Sequence, residues 1–302
     1  MKRTIIEDPL HGYLRLEPIP GQDEVEKFYA EEFYAANAAY FNNSALKVQL
    51  EQLEFYNSRW DNIYDVCSSF FGDKLSDKKV FDIGFGFAQA LIYLKEKGLT
   101  VSGLEPSIEG VNYARNNGIT AFHASIEHYD VVGKEKFDIV LLLNVLEHLR
   151  NPAETLDKIK NQLLEREGLL VIDVPNDFNL FQEVANAEYG LNEWWVVAPT
   201  HINYFSVSSI KKLLLDCGYR VFDYAASFPM DMFLLFGDQY IGDNALGRVC
   251  HNKRANFERL MRKYGKKREL RELYKLYADL NLGRSVTIYA TPIELAPEKR
   301  IS

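Results

Sequence analysis

Two glycines and one glutamate carry the clearest chemical signal in the sequence. Gly84 and Gly86 follow the apolar run Val80-Phe81-Asp82-Ile83 and precede a helical pattern from Phe87 to Lys97. Glycines at this spacing after a strand let the backbone turn sharply and let a ligand lie against bare peptide. Glu105 ends the next strand-like run, Thr100 to Glu105, 19 residues after Gly86. A carboxylate there can accept hydrogen bonds from both hydroxyls of a ribose. Gln89 stands where a third glycine would complete a dinucleotide fingerprint, and no Gly-Lys-Ser/Thr occurs, which excludes a P-loop. The pattern suits an adenosine without a demanding pyrophosphate cradle.

Acid–base candidates lie further along. Asn144, Glu147 and His148 follow the apolar run Phe137 to Asn144, and His201 and Tyr204 lie in an aromatic, loop-rich stretch. Ligands of an open parallel sheet bind outside the carboxyl ends of its strands. Histidine titrates in the range a general base needs. His148 and His201 are therefore the catalytic candidates, while His123, His128 and Glu127 read as structural. Cys67, Cys217 and Cys250 are odd in number and far apart, so neither a zinc knuckle nor a disulfide framework is expected. No metal site is expected.

The elements that must position these residues alternate in type. Strands are predicted at 79–84, 100–105, 119–123, 137–144, 168–174, 219–225 and 284–292, with helices between the early ones. Ser107 can cap one helix, and Asn151-Pro152-Ala153-Glu154 has the signature of another helix start. This alternation predicts an α/β fold, a doubly wound sheet with helices on both faces. Residues 1 to about 25 read as an extended arm, and an aromatic helical lid runs from there to about Phe71, carrying Phe28, Phe33, Tyr34 and Phe41. The expected organisation is an arm and lid at 1–75 and a core at 76–227 plus 284–293. An active-site insertion lies at 176–206 and a helical insertion at 228–283. The basic run at 253–271 reads as a solvated helix face.

The chain has 302 residues, 47% hydrophobic and 26% charged, with a formal net charge of −8. These values exclude a disordered chain and make a phosphate backbone a poor partner. No signal-peptide h-region and no stretch long enough to span a bilayer occurs. The expectation is a cytoplasmic protein with no nucleic-acid or membrane partner; oligomeric state is not legible.

The motifs together resemble the class I S-adenosylmethionine-dependent methyltransferases. Asp82-Ile83-Gly84-Phe85-Gly86-Phe87-Ala88 stands at the family's D-x-G-x-G-x-G/A motif, and Glu105-Pro106-Ser107 at its ribose-binding element. Ala124-Ser125-Ile126-Glu127 matches the segment flanking the adenine, and Asn144-Val145-Leu146-Glu147-His148-Leu149 the element after strand four. The resemblance implies a Rossmann-like seven-stranded sheet and S-adenosyl-L-methionine as cofactor. It places Asp82, Gly84, Phe85, Gly86, Glu105, Pro106, Ser125, Ile126 and Asn144 around that cofactor, with Arg59 in reach of its methionyl carboxylate. Glu147-His148 with Thr200-His201 is also similar to the ubiquinone-pathway O-methyltransferases, some of which use a metal near E-x-x-E-H; Asn144 stands at the first acidic position.

The implied activity is methyl transfer to an O or N atom of a small polar acceptor, a sugar or sugar conjugate. The alternatives are O-methylation of a phenolic or quinone-type metabolite, a cofactor-binding module without catalysis, and an RNA methyltransferase using the basic insert. The acidic total and the lack of a base-targeting motif weigh against the last.

Overall fold

The computed structural model describes residues 3–21, 24, 45–126, 130 and 132–293. The lid aromatics Phe28 to Phe41, and Glu127 and His128, lie outside them. In chain order the strands are β1 (Thr4–Glu7), β2 (Leu14–Glu17), β3 (Lys79–Ile83), β4 (Thr100–Glu105), β5 (Thr120–His123), β6 (Phe137–Leu143), β7 (Leu164–Pro175), β8 (Asn203–Tyr204), β9 (Tyr219–Ala226) and β10 (Ser285–Pro292). The α-helices are α1 (Ala45–Glu51), α2 (Leu53–Phe71), α3 (Gln89–Glu96), α4 (Ile108–Asn116), α5 (Pro152–Lys158), α6 (Leu180–Tyr189), α7 (Val207–Asp216), α8 (Met232–Leu235), α9 (Asn244–Lys263) and α10 (Lys267–Asp279).

Seven strands form the central sheet in the order β5-β4-β3-β6-β7-β10-β9. All neighbours are parallel except at β10, which runs antiparallel between β7 and β9. The order reverses between β3 and β6, the switch point at which a doubly wound sheet opens a crevice. The strand alternation sorts side chains to two cores. Phe81, Val140, Leu142, Leu170 and Ile172 face one, with α5 and α7. Val80, Ile139, Leu141, Leu169 and Val171 face the other, with α2, α3 and α4. The near-continuous apolar runs follow from burial on both faces. Each fully buried Leu or Val contributes about 1.5–3 kcal/mol by leaving water.

Local signals set several helix starts. The Ser107 hydroxyl accepts from the Gly110 N–H at 3.3 Å. Ser206 and Ser209 form a reciprocal capping box at α7. Asn151 sits at the cap of α5 with Pro152 in its first turn, but its amide turns to Glu154 and makes no cap bond.

Two expectations change. The arm is a hairpin: β1 pairs with β2, and β2 pairs with β8 through Leu14–Tyr204. The stretch at 176–206 is not loop throughout, because α6 occupies ten of its residues. Its start was legible as Asn179-x-x-Gln182, whose side chains complete a capping box. The small sheet has a consequence for chemistry. Leu16 N–H donates to the Ile202 carbonyl, and Ile202 N–H donates to the Glu147 carbonyl, so the hairpin holds the His201 loop against Glu147-His148. No described helix is long and apolar enough to cross a membrane.

Candidate active site

The glycine turn after β3 is built for close approach. Gly84 and Gly86 have φ of +72° and +55°. A Cβ on Gly84 would lie 2.8 Å from Val145 Cγ2, whereas one on Gly86 would meet nothing within 4 Å. Gly84 is thus forced by packing across the switch point, and Gly86 presents bare backbone to open space. Two further glycines seat the turn. A Cβ on Gly110 of α4 would come within 2.3 Å of the Gly86 carbonyl oxygen, and one on Gly103 of β4 within 2.5 Å of the Asp82 carbonyl. Neither was singled out from sequence, since their need arises from contacts remote in the chain.

Glu105 is held from two sides. Its Oε2 accepts from Gly86 N–H and its Oε1 from Ser107 N–H, both at 2.8 Å. Burial raises its carboxyl above the usual range, and the two N–H groups pull it back. Each oxygen keeps a lone pair for a ribose hydroxyl. Asp82 is 2% exposed, and its Oδ1 has no hydrogen-bond partner. Burial, then the charge of Glu105, pushes its carboxyl well above the ordinary value. An unsatisfied carboxyl oxygen beside an exposed glycine backbone suits a ligand carrying an ammonium and a diol.

The remaining cofactor candidates differ in what they offer. The Phe85 ring is 8% exposed and packs in the core, leaving its backbone at the turn. The Pro106 carbonyl faces His123 Nε2 at 2.9 Å. Ile126 is buried, and Ser125 precedes it at half-burial. Asn144 is exposed in the left-handed region at φ +55°, with its N–H donating to the Asp173 carbonyl. Arg59 on α2 ion-pairs with Asp173 of β7 at 3.1 Å and lines the same cavity as Asn144.

Beyond Asn144 lies a cavity of about 330 Å³. Asn144, Asp173 and Asp177 line its floor, and Trp195, Val197 and His201 line one wall. Phe55, Ser58 and Arg59 of α2 form another, and Arg254, Arg262, Lys267 and Arg271 close it. The basic run at 253–271 is therefore not just a solvated face. Arg254 and Arg262 lie eight residues apart on α9, and Lys267 and Arg271 four apart on α10, spacings that put each pair on one helix face. Phe228 packs with Phe233 and Phe257, and of the residues just before it Ala225, Ala226 and Ser227 line the cavity.

The two histidines occupy different layers. His201 lines the cavity, and its Nδ1 is buried without a hydrogen-bond partner. His148 stacks edge-on behind it, ring centroids 4.9 Å apart. The His148 Nδ1–H donates to the Thr200 carbonyl at 2.8 Å, which fixes its tautomer. Burial, with help from the charges of His148 and Arg284, lowers His201 to about 4. Burial also raises Glu147 to about 8, with Asp173 and Asp177 adding to it. Ligand atoms of Glu147, His148 and His201 lie within 4.8 Å of one another, so this trio could hold a metal ion that the sequence did not lead us to expect.

Known proteins bear on this site. Residues 53–224, more than half of the chain, match the family described as a methyltransferase domain. The chain belongs to this family. By family and fold it is a class I methyltransferase. It is 31% identical over 124 residues to a ubiquinone biosynthesis O-methyltransferase of Glaesserella parasuis, covering 38% of this chain and 50% of the relative. It is 26% identical over 102 residues to N-methyltransferase 4 of Papaver somniferum, covering 31% and 29%. The chain spans about half the length of the first of these curated relatives. In fold it is similar to the plantazolicin methyltransferase BamL solved with a triazolic desmethylPZN analogue and S-adenosylhomocysteine, with TM-score 0.50, 14% identity, and 89% and 94% coverage.

Proposed function

We propose that the protein methylates an oxygen atom of a small polar acceptor, a sugar or sugar conjugate, in the cavity beyond Asn144. The observation that carries this reading is the charge in that cavity: carboxylates, guanidinium groups and the Lys267 ammonium line it among aromatic and aliphatic side chains, with His201 beside them. The relative from Glaesserella parasuis, named for O-methylation, supports oxygen as the acceptor atom.

The residues divide the work. Glu105 and the Gly84–Gly86 turn would hold the ribose side of the cofactor, and Asp82 its ammonium. When bound, the cofactor supplies an electrophilic methyl on a sulfonium. Arg59 and Asp173, fixed to each other, brace the floor on which the acceptor is oriented. Orientation alone lowers such a barrier by several kcal/mol, up to about 7–11 in the best cases. Trp195 and Val197 exclude water from the reacting oxygen. His201, neutral because its pKa is held near 4, would accept the hydroxyl proton. His148 positions His201 by ring packing.

A second reading, a phenolic acceptor, is favoured by the same relative, which acts in ubiquinone biosynthesis. Isotope-labelled S-adenosylmethionine offered with sugars, sugar phosphates, nucleotide sugars and catechols separates the two. We expect label in the sugar class; label only in catechols would replace this reading with the second, and no label in any class would favour a cofactor-binding module. Turnover should survive EDTA. Loss on chelation, restored by a divalent cation, would make Glu147, His148 and His201 ligands instead of a base and its support.

A further inference from the structure

The cations of the cavity are not equivalent. Arg59 is paired with Asp173, Arg271 with Asp223, and Lys267 with Asp61 and Asp65. Arg262 is paired with Asp61 and also bonds Asn62 and the Ser58 carbonyl. Arg254 has no carboxylate in ion-pair contact among the described residues. Among the described residues its one hydrogen bond runs from Nη2–H to His251 Nδ1 at 2.9 Å, and its Nε is buried without a partner there. The guanidinium lies 4.7 Å from the centre of the Phe55 ring. Glu258, one turn along α9, is engaged by the Tyr274 hydroxyl at 2.9 Å.

A buried cation without a counter-ion is costly, and removing its partner typically destabilises a protein severely. Here burial disfavours the charge of Arg254, and the nearby charge of Arg59 adds to that, against some relief from Glu258. His251 cannot neutralise it, since an imidazole is neutral or cationic; burial and Arg254 itself hold it near 4, so it stays neutral and adds no repulsion. Such a group is satisfied by an anion entering from the cavity, and a guanidinium fork fits the paired oxygens of phosphate or carboxylate. Phe55 supplies a flat apolar wall beside it. A groove of about 400 Å³ between α2 and α9 shares Phe55, Ser58, Glu258 and Arg262 with the cavity, leaving room for a group attached beyond the anion.

Resting on the reading above, we infer that the acceptor carries a phosphate or carboxylate that docks two-pronged on Arg254, away from the methylated oxygen. The specificity of the site is then set by α9, an element outside the cofactor motifs.

Inorganic phosphate and acetate are the probes. Calorimetry on the protein saturated with S-adenosylhomocysteine should show one of them binding, and the tighter of the two identifies the anion. Arg254→Gln should weaken that binding at least tenfold while leaving S-adenosylhomocysteine affinity nearly unchanged. If Arg254→Gln does not fold, Arg254→Lys decides: loss of the fork should still weaken the anion severalfold. Failure of both anions to bind the wild type, or binding to the variants as tight as to the wild type, overturns the inference. Failure of the wild type to bind S-adenosylhomocysteine overturns the methyltransferase reading instead, and is read in a separate titration.

Discussion

Glu105→Ala should weaken S-adenosylhomocysteine binding by about 10- to 150-fold, the equivalent of about 1.5–3 kcal/mol for hydrogen bonds to a charged group. The carboxylate is the last residue of β4, and both its oxygens are already oriented by Gly86 and Ser107. No side-chain ordering is therefore needed when a diol arrives, and the full bond strength is expressed in binding. The substitution also frees the Gly86 N–H, so the glycine turn loses one of its restraints. Glu105→Gln keeps one acceptor oxygen and should fall between the two. Titration calorimetry of the three proteins reads the series directly; equal affinities would remove Glu105 from the ribose site.

The second large effect concerns His201. His201→Ala should lower turnover by about 10²- to 10⁴-fold, the usual range for a lost general base, with S-adenosylhomocysteine affinity nearly unchanged. His148→Ala should cost less, because that ring lies behind His201 and is tied to the Thr200 carbonyl. The pH profile carries an independent signature. A base must be neutral, and burial depresses His201 to about 4. Turnover should therefore hold as pH falls through about 6.5, where an ordinary histidine protonates, and decline only as pH approaches 4. A limb near 6.5 that persists in His201→Ala would assign the base elsewhere.

Stability follows the same group with a definite sign. The folded state binds a proton on His201 less readily than the unfolded chain does. Its contribution is intact above about 6.5 and is lost as pH falls toward about 4.

What could be read from the sequence was what is local. The β3 turn, the Glu105 spacing, the Ser107 cap and the strands on either side each depend on a few neighbouring residues, and each lies at or near its expected position. The strand ends moved where pairing extended them: β7 begins at Leu164, opposite Phe137, rather than at Gly168. What was not legible depends on contacts between distant segments. Gly103 and Gly110 look like ordinary strand and helix glycines until the Asp82 and Gly86 carbonyls are seen against them. Arg254, Arg262, Lys267 and Arg271 look like a solvated run because amphipathic spacing fixes a face but not its partner. The partner is α2, whose Asp61 pairs with both Arg262 and Lys267. The hairpin β1–β2 depends on β8, nearly two hundred residues later in the chain.

The central claim is that the turn after β3 and the end of β4 form an S-adenosylmethionine site. Titration calorimetry of the unaltered protein with S-adenosylhomocysteine, run beside NAD, tests it most directly. The account predicts a dissociation constant near micromolar for the former, about −8 kcal/mol, and no heat from NAD; binding of NAD with indifference to S-adenosylhomocysteine would contradict it.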